Sequence, residues 1–170
     1  MLNQSVATPN TPDIVFVRMR LVGTRRTDSD KQGCGERVST DRTSALGSFD
    51  FTADDLHRVR GLVAEAGPAA GLSQTVTDNL VGAVNEIVVN ACLHAGGRGR
   101  LTITQTPDGI WVEVADAGAG LPAGVSGGLP AVTAGGGRGL WLARQMSHRM
   151  VVSSSPAGTT VRLFAGPGVR

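Results

Sequence analysis

The sequence predicts an α+β fold, a two-layer α/β sandwich with a mixed, mainly antiparallel sheet and the helices on one face. Two pairs of alternating apolar segments joined by short turns predict β-hairpins at residues 101–114 and 150–164. Apolar residues at three- and four-residue steps predict a long helix over residues 73–95. The predicted order is β-α-α-β-β-loop-α-β-β, and 170 residues suit one domain with its own core.

The charged residues exclude two classes of phosphate site. The formal net charge of +2 is too small to indicate a nucleic-acid partner by itself. Lys31 is the only lysine of the chain, and it lies in an unpatterned segment. A Walker-type loop and a protein-kinase-like site each require a lysine within their motif. Any nucleotide would therefore be held by backbone amides, arginine or a metal.

Cysteine usage and hydropathy give the expected compartment. Cys34 lies in a Gly-rich polar stretch and Cys92 in mid-helix, so the two do not indicate a disulfide framework. No secretory signal is evident, and the apolar run at residues 14–22 contains two arginines and is too short to span a membrane. We therefore expect a cytoplasmic protein without membrane association.

Residues 1–47 are expected to be a largely disordered N-terminal extension, followed by a domain over residues 48–166. Residues 1–12 are polar with two prolines, and residues 24–47 have almost no periodic apolar face. Residues 14–22 have strand composition without a clear partner, so the extension is expected to hold at most one loose strand. A start codon assigned too early is an alternative explanation for this stretch.

The ordered part is expected to begin with a short strand at residues 48–51 and a first helix that opens with an acidic turn. Gly67 and Pro68 are predicted to end this helix. Ser73 is the predicted N-cap of the second, longer helix. The apolar positions that define the second helix are Leu72, Val76, Leu80, Ala83, Val84, Ile87 and Ala91.

Alternation along the first hairpin predicts a sheet with one covered face and one more polar face. Residues 116–137 are Gly-rich and without periodicity, and loops of that length are usually functional or disordered. A third helix is predicted at residues 138–147. The residues predicted to face the core are Leu101, Ile103, Ile110, Val112 and Val114 in the hairpin, and Leu140, Ala143 and Met146 in the third helix.

Three polar residues share one face of the otherwise apolar second helix. Glu86, Asn90 and His94 follow one another at i, i+4 spacing. A carboxylate can act as a general base, and a carboxamide oxygen is a neutral ligand for Mg²⁺. Hydrogen-bonded helix residues at an interface are an equally good explanation of Glu86 and Asn90. His94 near the helix end is often only a favourable partner of the helix dipole.

A second polar segment, Asp116-Ala-Gly-Ala-Gly, directly follows an apolar strand. A carboxylate at a strand end can accept a hydrogen bond from an exocyclic amine such as that of adenine. Gly118 and Gly120 allow the backbone to approach a flat ligand closely. Taken alone, the segment also fits an ordinary turn.

Two further segments are glycine-rich. Gly135, Gly137, Arg138 and Gly139 lie where the third helix opens, and amide groups at a helix N-terminus bind anions. In the second hairpin, Gly158-Thr159-Thr160 places hydroxyl groups where one can support Asp116. Each segment by itself is only moderately specific.

In this order and at these separations, the four segments resemble the ATP-binding fold shared by gyrase, the heat-shock chaperone, histidine kinases and the mismatch-repair ATPases. The resemblance covers about residues 48–165. Glu86 and Asn90 look like the N box of that fold, Asp116-x-Gly118-x-Gly120 its G1 box, Gly137-Arg138-Gly139 its G2 box, and Gly158-Thr159-Thr160 its Gly-Thr segment.

Within that superfamily, the small size and residues 137–146 resemble the bacterial anti-sigma factor serine/threonine kinases. The resemblance implies that ATP and Mg²⁺ bind between the second helix and a lid at residues 118–137. Glu86 would be the general base and Asn90 the Mg²⁺ ligand. The residues it implies at the ATP site are Asn90, His94, Asp116, Gly118, Gly120, Gly135, Gly137, Arg138, Gly139, Leu140, Thr159 and Thr160.

The same resemblance implies a switch protein that binds a sigma factor and phosphorylates a serine of an anti-sigma factor antagonist. It also suggests a homodimer and no direct contact with nucleic acid. His57, Arg58 and Arg60 on the first helix form a candidate partner surface, although such a stripe is more often a solvated face. Two alternatives remain. The first is a catalytically silent ATP-dependent binding module, which would need no general base such as Glu86. The second is a detached histidine-kinase catalytic domain with His57 as its phosphoacceptor, which the missing four-helix dimerisation region before His57 disfavours.

Overall fold

The structure, a computed structural model, describes residues 14–16, 43–121 and 138–167. A single 3₁₀ turn, Ala53–Asp55, precedes the first helix. The elements are β1 (Ile14–Phe16), β2 (Ser44–Thr52), α1 (Leu56–Ala69), α2 (Gln74–His94), β3 (Arg98–Thr106), β4 (Gly109–Ala115), α3 (Arg138–Gln145), β5 (Arg149–Ser155) and β6 (Gly158–Ala165).

The six strands form one sheet in the order β1-β5-β6-β4-β3-β2. β1 runs parallel to β5, whereas every other neighbouring pair is antiparallel. α2 packs against β3, β4 and β6, with α1 and α3 beside it in the same layer. The predicted α+β fold, with a mixed and mainly antiparallel sheet and helices on one face, is confirmed.

The core lies between the helices and the sheet face that they cover. Alternate strand residues point into it, and the three- and four-residue steps of α2 supply the opposing side chains. Burying each large apolar side chain stabilises the fold by about 1.5–3 kcal/mol. The largest fully buried side chains are Phe51, Val59, Val63, Leu80, Val84, Val88, Leu101, Ile110, Val112, Val114, Met150 and Leu163.

α1 continues past the predicted stop at Gly67 and Pro68 and ends at Ala69. Pro68 lies in the last turn and lacks an N–H to continue the helix ladder, and the Ala70 N–H closes the helix on the Ala66 and Gly67 carbonyls. Gly71, with φ +78°, then reverses the chain. Gly67 has a different role from the predicted one: it lets α1 approach Thr77 of α2, since a Cβ atom there would lie 2.5 Å from Thr77 Oγ1.

Regular structure begins before the predicted strand at residues 48–51. β2 starts at Ser44 and pairs with β3 from Ser44↔Gln105 to Thr52↔Arg98, with an irregularity between Ala45 and Gly47. Within the expected extension, Ile14–Phe16 pairs with Met150–Val152 of β5. One strand in the extension agrees with the expectation, but neither its partner nor the early start of β2 was predicted, because strand pairing depends on a distant partner that local composition does not reveal.

α2 is the 21-residue helix that carries the polar face identified in the sequence. Its predicted N-cap is confirmed, because the Ser73 hydroxyl accepts a hydrogen bond from the Val76 N–H at 3.4 Å. Neither α2 nor any other helix in the described ranges combines the length and apolarity needed to cross a bilayer.

Candidate functional site

Four elements meet around a cavity of about 360 Å³ at one end of the sheet. The C-terminal half of α2 forms one wall, and the segment after β4 forms the other. α3 and the β5–β6 hairpin complete the cavity, whose volume lies in the range of small-molecule sites. The apolar side chains that line it are Ile87, Ala91, Ala95, Ala119, Leu121, Leu140 and Val161.

Asp116 is held at the cavity wall by the backbone. Its Oδ1 atom accepts hydrogen bonds from the Gly118 N–H at 2.9 Å and the Thr159 N–H at 3.2 Å. The Asp116 N–H in turn donates to the Thr159 carbonyl at 2.9 Å, which fixes the end of β4 against the start of β6. The second oxygen, Oδ2, makes no hydrogen bond with a described residue and so can accept one from a ligand.

Glycines allow the backbone to form this part of the cavity. A Cβ atom on Gly118 would lie 2.7 Å from the Ala95 Cβ, so the turn after Asp116 can touch the end of α2 only without a side chain. Gly120 has φ +80°, and a Cβ atom there would collide with the Ser155 carbonyl. The cavity therefore has a backbone wall against which a flat ligand can lie.

Two hydroxyl groups connect the hairpin to the segment that follows Asp116. Ser154 Oγ and Thr159 Oγ1 are 3.3 Å apart, and Ser154 Oγ accepts from the Leu121 N–H at 2.7 Å. Sequence reasoning missed Ser154. The signal was present in the alternation of β5, because Met150, Val152 and Ser154 share one face and Ser154 lies opposite Thr159 in the hairpin.

Glu86 and Asn90 lie together beside the start of α3. Both are half-buried. A Cβ atom on Gly139 would stand 2.8 Å from Asn90 Nδ2 and 3.1 Å from Glu86 Oε2. The backbone of α3 therefore approaches both polar groups as closely as a glycine permits, and it borders the cavity at the end where Asn90 lines it.

The polar groups at this end fit Mg²⁺ only together with a ligand that brings oxygen atoms of its own. The described residues hold no cluster of three His, Cys, Asp or Glu side chains that would bind a metal alone. The Asn90 oxygen can supply one neutral ligand, with Glu86 beside it. Mg²⁺ usually keeps several waters and takes its other ligands from phosphate oxygens, so the arrangement suits a phosphate-bound ion.

Cys92, two positions after Asn90, is a half-buried free thiol on α2. Burial raises the pKa of this thiol above its ordinary value. It therefore stays protonated at neutral pH and packs against the core as a small apolar group.

The structure brings together most of the predicted site residues that it describes. Glu86 and Gly139 lie beside Asn90, next to the cavity, and Arg138 is exposed at the first position of α3. Gly135 and Gly137 lie outside the described residues. The predicted residues that line the cavity are Asn90, His94, Asp116, Gly118, Gly120, Leu140 and Thr159.

Thr160 is the exception among the predicted residues. Thr159 is buried and faces the cavity, so the strand alternation turns Thr160 to the sheet face without helices. The support for Asp116 also differs from the expectation. It comes from the Thr159 N–H, whereas the Thr159 hydroxyl contacts Ser154.

Comparison with known structures gives a similar fold in the crystal structure of the RsbU and RsbW domains of Rv1364c from Mycobacterium tuberculosis. The TM-score is 0.51 at 17% sequence identity, and the similarity covers 74% of this chain. It spans only 35% of that longer chain, and at this identity it shows the fold alone. The sequence matches no curated protein.

A comparison with protein families gives a match to the histidine kinase-like ATPase domain over residues 49–164. The matched range begins within β2 and ends within β6, so it contains Glu86, Asn90, Asp116, Gly139 and Thr159. Because it covers well over half of the chain, the protein belongs to the histidine kinase-like ATPase domain family.

Proposed function

We propose that the cavity binds ATP with Mg²⁺ and that the protein transfers the γ-phosphoryl group to a serine of an anti-sigma factor antagonist. The proposal is supported by one observation: a single apolar cavity has polar groups at both of its ends. Asp116 presents an oxygen without a partner among the described residues at one end, and Glu86 and Asn90 lie at the other.

The adenine end suits a base with an exocyclic amine. Asp116 Oδ2 accepts from that amine, while Oδ1 stays bound to the Gly118 and Thr159 N–H groups. Apolar side chains of α2, α3 and β6 cover the ring faces, which favours a flat aromatic ligand over a charged one.

The phosphate end suits phosphoryl transfer to a hydroxyl group. Asn90 offers the oxygen that would hold Mg²⁺, and the bound ion would neutralise charge on the phosphates. Glu86 lies beside Asn90 and accepts the serine proton as the serine oxygen forms its bond to the γ-phosphorus and ADP leaves. Catalysis here rests on positioning and charge.

The regulatory role rests on the resemblance of residues 137–146 to anti-sigma factor kinases. The described part of that run forms α3, whose Gly139 contacts the Glu86–Asn90 pair. α1 supplies exposed cations for a protein partner, with Arg58 stacked over the Phe49 ring at 4.2 Å. We propose a sigma factor and an anti-sigma factor antagonist as those partners.

Incubation with labelled ATP, Mg²⁺ and candidate antagonist proteins from the same genome tests the proposal. We expect label on a serine of one antagonist, lost in Glu86→Gln and retained in Glu65→Gln, an exposed glutamate of α1. Saturable ATP binding without transfer to any antagonist would favour a silent ATP-dependent binding module. Equal transfer by Glu86→Gln would remove Glu86 from the role of base.

A further inference from the structure

The sheet face opposite the helices carries an aromatic pair. Trp111 of β4 and Phe164 of β6 pack with ring centroids 5.1 Å apart and an interplanar angle of 42°. Both rings are half-buried, and no described helix lies on this face, because α1, α2 and α3 occupy the other layer. Two large aromatic side chains are thus presented on an open antiparallel sheet.

One arginine guanidinium lies near each ring of this pair. The Arg162 guanidinium lies 4.8 Å from the Trp111 centroid, and that of Arg149 lies 5.8 Å from the Phe164 centroid. A guanidinium that stacks on a ring keeps its N–H edge free for a carboxylate. The strand register places Trp111, Phe164 and Arg149 side by side on three neighbouring strands.

The charge of this face is positive. Among the described strand residues, alternation places four arginines on it, Arg98, Arg100, Arg149 and Arg162, and two carboxylates, Asp50 and Glu113. Each carboxylate forms an ion pair with an arginine of the same face. Asp50 Oδ1 lies 2.7 Å from Arg100 Nε, and Glu113 Oε2 lies 3.5 Å from Arg162 Nε. Arg149 makes no ion pair with a described residue, so its charge is available.

We propose that this aromatic–arginine face is a docking surface for an acidic protein segment in which carboxylates flank an apolar side chain. The apolar side chain packs on the Trp111–Phe164 pair, and a carboxylate binds the Arg149 guanidinium. Tryptophan and arginine are the residue types that most often dominate protein interfaces. Charge complementarity selects an acidic partner over a basic one.

The proposed surface is independent of the ATP site. Thr159 faces the cavity, and the next residue, Thr160, belongs to the docking face, so the two lie on opposite sides of the sheet. Docking on this face leaves the cavity open. The inference does not rest on ATP binding and survives if the proposed kinase activity fails.

Fluorescence of Trp111 provides a direct test. The chain has two tryptophans, so Trp141→Phe leaves Trp111 as the sole reporter in the full-length protein. The probe is a short synthetic peptide of alternating glutamate and leucine, and its control has lysine in place of glutamate. We expect saturable binding of the glutamate peptide with a change in Trp111 emission, weakening as salt is added, and no binding of the lysine peptide.

Two substitutions with the same change in net charge locate the binding. Arg149→Gln removes a positive charge from the docking face, and Asn79→Glu adds a negative charge to an exposed position of α2. We expect Arg149→Gln to weaken the glutamate peptide about fivefold, the upper range for an exposed ion pair, and Asn79→Glu to leave the affinity within error.

Five results would overturn the proposal. The glutamate peptide does not bind, or it binds equally well to both variants. Oligothymidylate shifts Trp111 emission at a lower concentration than the glutamate peptide, which would assign the face to single-stranded nucleic acid. Sedimentation shows a dimer that Arg149→Gln dissociates, which would assign it to a second copy. Acrylamide fails to quench Trp111 in the free protein, which would mean that the face is already covered.

Discussion

Gly139, the second residue of α3, lies directly against Asn90 on α2. A Cβ atom at position 139 would stand 2.8 Å from Asn90 Nδ2 and 3.1 Å from Glu86 Oε2. The two residues proposed for metal binding and catalysis therefore share one contact with the backbone of α3. In this arrangement the start of α3, rather than a side chain, sets the space beside the polar pair where the phosphates of the proposed ATP would lie.

Gly139→Ala should disturb this end of the cavity. The added methyl group must displace Asn90 or α3, so we expect Mg²⁺-dependent ATP affinity to fall about tenfold, which corresponds to about 1.4 kcal/mol. Isothermal titration calorimetry measures the effect. Gly61→Ala in α1, where no atom beyond the neighbouring helix backbone lies within 4 Å of the added Cβ, is the matched control. It should stabilise the fold by about 0.5–1 kcal/mol and leave ATP affinity unchanged. Equal ATP affinity in the two variants would contradict the account of Gly139.

Ser154→Ala should affect the site through the backbone. The substitution removes the acceptor of the Leu121 N–H, which lies 2.7 Å from Ser154 Oγ. We expect a loss of about 1 kcal/mol in the free energy of unfolding, measured by urea denaturation, together with weaker ATP binding. Ser153→Ala is the control, because Ser153 points to the other sheet face and should change stability by less than about 0.5 kcal/mol. A Ser154→Ala variant that resembles the Ser153→Ala control in both measurements would show that the hydroxyl does not position the cavity.

Asp55 gives a prediction for acid pH. The Thr52 N–H and hydroxyl both donate to Asp55 Oδ2 at 2.9 Å, and these bonds hold the pKa of the Asp55 carboxyl below its ordinary value of 3.8. Because the folded pKa is the lower one, the stabilisation is present above pH 3.8 and is lost as the pH falls through the folded pKa. Asp55→Asn should therefore flatten the acid limb of the stability–pH curve.

Thermal unfolding across that acid range provides the measurement. Asp54→Asn, one residue earlier, is the control, because Asp54 makes no side-chain hydrogen bond with a described residue. An identical acid limb for Asp55→Asn and the unmodified protein would contradict the assigned role.

The sequence predicted those elements that a local signal indicates, such as a capping side chain or an alternation of apolar residues. Ser73 as N-cap and the alternating residues of β3 and β4 need no knowledge of distant partners, and their predicted positions agree with the structure. The start of β2 at Ser44 was not predicted, because residues 44–47 are exposed and gain strand structure only by pairing with β3.

The candidate site shows the same division. The i, i+4 spacing of Glu86 and Asn90 and the turn after Asp116 are local patterns, so sequence reasoning identified them. Ser154 and the orientation of Thr160 follow from the alternation of β5 and β6 only once the register of their hairpin is known, and turn geometry sets that register.

We propose that Asp116 recognises the base of ATP through Oδ2, which makes no hydrogen bond with a described residue. Asp116→Asn keeps a carbonyl oxygen for the Gly118 and Thr159 N–H groups but replaces the second acceptor by a donor. The direct measurement is calorimetric titration of ATP with Mg²⁺ into the unmodified protein and into Asp116→Asn, after thermal unfolding has shown that both are folded. We predict saturable binding at one site in the unmodified protein and at least about tenfold weaker binding in the variant. Undiminished ATP affinity in a folded Asp116→Asn protein, or no saturable binding in the unmodified protein, would contradict the account.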